Sequence, residues 1–146
     1  MSVPVFQRSE NKLQALKDTM TMAKYTIQMC ENEKVFPKKS RWTLCTRIID
    51  TCLDSIIKIR QANKVKVETA DTAAYRVKLQ GMVLQNFEAL WALMTVAYET
   101  YSIPSERMAQ WTKLMLTAED RVSNWRKLYF QENKKGVIKR EKEKGT

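Results

Sequence analysis

The stretch FPKKSRWTLCTRIIDTCLDSIIKIRQAN, Phe36 to Asn63, decides the fold. It opens on an aromatic-Pro turn, sets Lys38, Lys39 and Arg41 around Trp42, and then becomes an apolar run too dense for one face of a helix. Cys45, Ile48, Cys52, Ile56 and Ile59 step by 3, 4, 4 and 3 residues, while Leu44, Ile49, Leu53 and Ile57 form a second stripe beside them. A helix in a monomeric bundle needs one such stripe. The surplus predicts a helix covered on more than one side, through self-association. Pro37 biases Phe36 away from helical geometry, so the helix starts after it, with Ser40 as the expected cap and an end near Ala62.

Upstream, Leu13, Leu16, Met20, Ala23, Ile27 and Cys30 step by 3, 4, 3, 4 and 3 and predict a first helix from about Ser9 to Glu33. Downstream, the polar connection NKVKVETAD offers Thr69 or Asp71 as a cap. The third helix then carries a long seam, Ala73, Val77, Gln80, Leu84, Phe87, Trp91, Met94, Tyr98 and Tyr101, in which Gln80 is the one amide among apolar and aromatic residues. Leu79, Val83, Leu90 and Leu93 supply a second stripe there too. Ile103 and Pro104 separate it from a fourth helix with Met108, Trp111, Met115, Ala118, Val122, Trp125 and Tyr129 on one seam, Pro104 expected in its first turn. With three Gly, three Pro and no sustained alternation of polar and apolar residues, the class is all-α. Four helices with short connections predict an up-down-up-down bundle over residues 9–132, preceded by an arm (1–8) and followed by a basic, disordered tail (133–146).

A chain of 146 residues with 44% hydrophobic content fills one core. Its formal charge of +10 favours polyanionic partners, because neutralising phosphates releases counterions. The charge is uneven: Lys34 to Lys66 holds nine cations against Asp50 and Asp54. No apolar stretch is long enough to span a bilayer, and MSVPVFQRSENK lacks a signal-peptide hydrophobic region, so a soluble cytoplasmic protein without a membrane partner is expected. Cys30, Cys45 and Cys52 sit at apolar positions without CxxC spacing and read as small core residues in a reducing compartment.

The chemistry of an enzyme is missing from the sequence. There is no His, which removes the commonest general base and nitrogen ligand, and no glycine-rich phosphate loop. Cys45 lies near a helix start among cations but has no base beside it. Asp50 and Asp54, flanked by Arg47 and Lys58, read as surface ion pairs rather than a metal site. No catalytic residue, metal or cofactor is expected.

The residues Phe36, Pro37, Lys38, Ser40, Arg41, Trp42, Thr43 and Leu44, then Arg47, Ile48, Ala62 and Asn63, make the chain resemble the Avd (accessory variability determinant) proteins of diversity-generating retroelements. A related four-helix-bundle family, encoded in intervening sequences of large-subunit rRNA genes, has a similar FPK-type opening. The resemblance covers about residues 9 to 130; Cys45 stands where the family often has Gly, and EDRVSNW before Trp125 lacks the family's glycines. It implies a basic, non-catalytic bundle that forms a homopentameric barrel and binds a reverse transcriptase together with nucleic acid. In that system a template RNA is copied into cDNA with adenine-directed errors.

The residues assigned to phosphates are Lys38, Lys39, Arg41, Arg47, Lys64 and Lys66, which hold the backbone without reading bases. The competing expectation is a protein-interaction module of the rRNA intervening-sequence type, whose surplus apolar stripes dock a partner and whose charge maintains solubility.

Overall fold

Helix-forming runs separated by Pro37, by the Val65–Thr69 connection and by Pro104 give four helices in the computed structural model, which describes the backbone of residues 5–144 and the side chains of residues 12–128. They are α1 (Val5–Glu31), α2 (Thr46–Lys64), α3 (Ala70–Thr100) and α4 (Ser105–Lys144), with a 3₁₀ turn (Lys38–Ser40) and a π-turn (Arg41–Cys45) leading into α2. No strand occurs among the described residues. The helical backbone already covers Val5–Arg8 of the expected arm and continues through the expected tail to Lys144, where good helix formers outnumber the single Gly136. The side chains of both segments lie outside the described residues.

Cross-helix contacts set the topology. Cys52 of α2 reaches Met22 of α1, Asn86 of α3 reaches Asp54 of α2, and Trp91 of α3 reaches Glu119 of α4. Tyr25 meets the Arg107 carbonyl and Asp18 meets Arg121, which closes α4 onto α1. Second contacts fix the directions: Cys45 reaches Cys30, Arg76 reaches Ala62 and Arg126 reaches Val77, so that along every neighbouring pair the numbering rises on one helix as it falls on the other, and neighbours are antiparallel. The result is an up-down-up-down four-helix bundle.

The core follows the expected seam on α4, where Trp111, Met115, Ala118, Val122 and Trp125 are fully buried. Both stripes of α3 turn inward over most of their length, because this helix packs on α2 and α4 at once: Gln80, Phe87 and Met94 are buried from one, Leu79, Val83 and Leu90 from the other, while Tyr98 near the end of the first is exposed. On α1 the expectation holds for Ala23 and Cys30, which are buried, and fails at two bulky positions. Leu13 is 65% exposed and Met20 lies on the surface, whereas Ala15, Thr19, Met22, Thr26 and Met29 form the buried seam. The reason is steric and polar: Trp111 donates its indole N–H to Thr26 Oγ1 at 2.9 Å, and Thr26 in turn donates to the Met22 carbonyl at 2.8 Å. A small hydroxyl residue admits the indole where Leu would exclude it.

The connections also differ in detail from expectation. Thr69, not Asp71, caps α3, in a reciprocal box where Thr72 N–H donates to Thr69 Oγ1 (3.2 Å) and Thr69 N–H donates to Thr72 Oγ1 (2.9 Å). Asp71 instead sits in the first turn, where the helix dipole favours a carboxylate. Pro104 precedes α4 and accepts from Met108 N–H at 3.0 Å. Ser40 does not cap α2: its side chain is buried and bonded back to the Pro37 carbonyl at 2.7 Å.

Candidate nucleic-acid interface

The turn between α1 and α2 is built around Asn32 and Phe36. The Asn32 carbonyl accepts from the N–H groups of Val35 and Phe36, both at 2.9 Å, and its side-chain oxygen accepts from Lys34 N–H at 3.0 Å. This folds Val35 and Phe36 back over the end of the bundle, where both are buried. Phe36 packs edge-on against Tyr101 (5.9 Å between ring centres) and Trp111 (6.3 Å). The aromatic of the FPKKSRW motif is therefore a plug, and the hydrophilic residues that follow are fixed to it by one Pro.

Burial of Ser40 then decides what faces water. Its hydroxyl lies 3.4 Å from Cys45 Sγ, and with Leu44 and Cys45 also buried, the intervening residues Arg41, Trp42 and Thr43 are forced outward. The turn is one residue wider than an α-helix. Thr46 donates both its backbone N–H and its hydroxyl (2.5 Å) to the Arg41 carbonyl, which stabilises the i→i+5 spacing. In a regular helix Trp42 would share the seam of Cys45, three residues on. The wide turn swings it out, and it is 87% exposed.

Lys38, Lys39, Arg41 and Arg47 are all exposed at this end. Glu33 is the nearby carboxylate, 3.5 Å from Lys38 Nζ and 4.0 Å from Arg41. These contacts are solvent-exposed and weak, so the cations are free to exchange it for phosphate. Between residues 33 and 47 five cations face that single carboxylate.

Lys64 and Lys66 are exposed as well but are not brought to the same place. Lys64 closes the other end of α2 and Lys66 follows just beyond it, and the 19 residues of that helix span about 28 Å at the usual rise. The exposed face between the two ends carries Asp50, Leu53 and Ile57 rather than cations. The six predicted residues thus form two separate groups. At the second, Lys12 is a neighbour that the sequence reading did not single out: burial, then Arg76 and Lys64, hold its ammonium below the usual lysine range. Arg60, Lys64 and Tyr75 line a shallow depression beside it.

Comparison with protein-family models, with curated proteins and with solved structures finds no match.

Two further groups have structural explanations. Asp54 accepts from Asn86 at 2.9 Å and from Lys58 at 3.1 Å, and these bonds, led by that of Asn86, hold its carboxyl below the usual range. It forms the expected ion pair with Lys58 at the surface and, through Asn86, also ties α2 to α3. Cys30, Cys45 and Cys52 are free thiols in the core. Burial raises Cys30, with Cys45 adding to it, and pushes Cys52 up to about 12, so neither forms thiolate readily.

Arg76 and Trp42 are the residues whose roles the sequence did not disclose. Arg76 is 95% removed from solvent, being 5% exposed, and donates to the carbonyls of Ala62 (Nε, 2.9 Å) and Val65 at the C-terminal end of α2. A helix-terminal carbonyl pair and a guanidinium complement each other in charge and geometry. Periodicity would have marked Arg76, three residues after Ala73 and four before Gln80, as a core position occupied by a charge. Nothing local marks the π-turn that exposes Trp42. Among the described residues no group of acidic, His or Cys side chains is arranged to hold a metal, and no helix is long and apolar enough to cross a membrane.

Proposed function

We propose that this chain is a non-catalytic accessory protein of the Avd type, which binds nucleic acid and the reverse transcriptase of a diversity-generating retroelement and supports mutagenic cDNA synthesis from template RNA. The observation that carries this reading is the FPKKSRWTL stretch, the residues of the resemblance, standing as a rigid cationic turn at one end of a four-helix bundle. Lys38, Lys39, Arg41 and Arg47 hold phosphates there; Lys64 and Lys66 make a second contact at the opposite end. The protein acts in the cytoplasm as a homopentamer, joined through the surface left apolar on α2, where Ile49 is half-buried and Leu53 and Ile57 are exposed.

The test is solution mass by light scattering, with and without a short RNA–DNA hybrid, at low and moderate salt. A five-fold mass that takes up hybrid in a salt-sensitive manner is the expected result. Neutralising Lys38, Lys39 and Arg41 together then weakens binding and lowers the salt slope by roughly two to three, at about 0.7 to 0.9 per lost phosphate contact. A monomer indifferent to hybrid overturns the reading in favour of a protein-interaction module of the rRNA intervening-sequence type.

A further inference from the structure

We propose that Trp42 is a stacking platform for an unpaired nucleobase, with Lys38, Lys39 and Arg41 holding the phosphates that flank it. This rests on the nucleic-acid reading above, in which these cations hold the phosphates of a hybrid, and adds to it a single-stranded segment as a further ligand and the residue that meets its base.

The exposure of Trp42 stands apart from that of every other tryptophan in the chain. Trp111 and Trp125 are fully buried and Trp91 is partly covered, whereas Trp42 is 87% exposed and its ring has no aromatic or cationic partner among the described residues. An indole held in water is a large apolar surface with nothing against it. It is also held rigidly. Ser40, Leu44 and Cys45 anchor the turn in the core on both sides of it, and Thr46 ties the Arg41 carbonyl from below. A preorganised aromatic loses little freedom on binding.

The surroundings select the partner. Lys39 has no ion pair among the described residues, and Lys38 and Arg41 share only the exposed Glu33. Cations beside an aromatic face are what a single strand requires, because its phosphates track the charges while an unstacked base lies on the ring. The bases of a duplex are already stacked on one another, so their faces are not available to Trp42. An apolar protein surface would instead leave Lys38, Lys39 and Arg41 desolvated and unpaired.

The experiment compares a short oligothymidylate with an abasic oligomer of equal length, on the wild-type protein and on W42A, W42F and the combined K38Q/K39Q/R41Q variant. Because the Trp42 side chain touches little of the bundle, W42A retains the wild-type helical circular dichroism. The expected result is that W42A binds oligothymidylate about five-fold to about a hundred-fold more weakly, the range of one base–aromatic stack, while the salt slope is unchanged. W42F recovers most of the affinity, and the abasic oligomer does not distinguish W42A from wild type. If W42A binds oligothymidylate as wild type does while the charge variant loses it, the stacking role is overturned and the nucleic-acid reading stands. If the wild type takes up the RNA–DNA hybrid but binds neither oligomer, this proposal is overturned and the nucleic-acid reading stands; if it binds none of the three, both fall. Should W42A change the solution mass and leave oligomer affinity intact, Trp42 belongs to a protein contact and the proposal is wrong.

Discussion

Gln80 is fully buried on α3, and neither atom of its side-chain amide has a hydrogen-bond partner among the described residues. Taking an amide out of water without replacing its bonds is unfavourable, so Gln80→Met, which keeps the length and removes the polarity, raises stability by about 1–2 kcal/mol in urea unfolding. A loss of stability would show instead that the amide is bonded more strongly than its burial costs. Lys12 gives a second test, through pH. Its folded pKa is lowered, first by burial and then by Arg76 and Lys64, so the unfolded chain holds this proton more tightly than the folded one. The resulting penalty is present at neutral pH and is relieved as pH rises through the lowered pKa towards the ordinary 10.5. Lys12→Gln is therefore more stable than wild type at pH 7, and the difference shrinks as pH approaches 10.5; a difference constant across that range would contradict the assignment.

At the scale of the element, α2 shows how a helix is terminated from outside itself. Its start is widened into a π-turn by Thr46 and the buried Ser40, and its end is held by Arg76 of α3, which donates to the Ala62 and Val65 carbonyls. Charge-assisted bonds of this kind are worth about 1.5–3 kcal/mol each, so Arg76→Met lowers stability by about 3 kcal/mol or more, the freed carbonyls being left near the core. Arg76→Lys restores only part of this, since one ammonium does not reproduce the two-pronged geometry of the guanidinium. Equal stability of Arg76→Lys and wild type would reduce the role of Arg76 to charge alone.

For the whole molecule, the question is what covers the outer face of α2. Leu53 is 41% exposed and Ile57 52% exposed, one turn apart on the same face, with the half-buried Ile49 preceding them. Apolar side chains so arranged are buried when copies associate, and a carboxylate introduced there is left unpaired in the interface. Leu53→Glu with Ile57→Glu is expected to reduce the solution mass to that of one chain while leaving the helical circular dichroism and the monomer's urea midpoint within about 0.5 kcal/mol of the parent. An unchanged mass would place the interface elsewhere. The two cationic groups lie at opposite ends of this same helix, so the proposed assembly through its middle would leave both in solvent.

The all-helical class, the number of helices, their order and the seam of α4 were legible in the chain, because a 3- and 4-residue spacing of large apolar side chains has one economical solution. So was the concentration of charge between Lys34 and Lys66. What the spacing could not decide was which of two adjacent stripes turns inward. On α1 the bulky Leu13 and Met20 lost to Ala15, Thr19 and Thr26, because the indole of Trp111 needed a small hydrogen-bonding neighbour on the facing helix. Ahead of α2 the position of Trp42 depended on one extra residue in a turn, which follows from burying Ser40 against Cys45 rather than from any local preference. Whether Lys64 and Lys66 join Lys38, Lys39 and Arg41 was likewise a matter of distance in space. The sequence alone determined the helices, their apolar and charged composition and the turn motif that joins the first two; the tertiary structure decided their rotation about their axes, since rotation is set by what the opposite helix can accommodate.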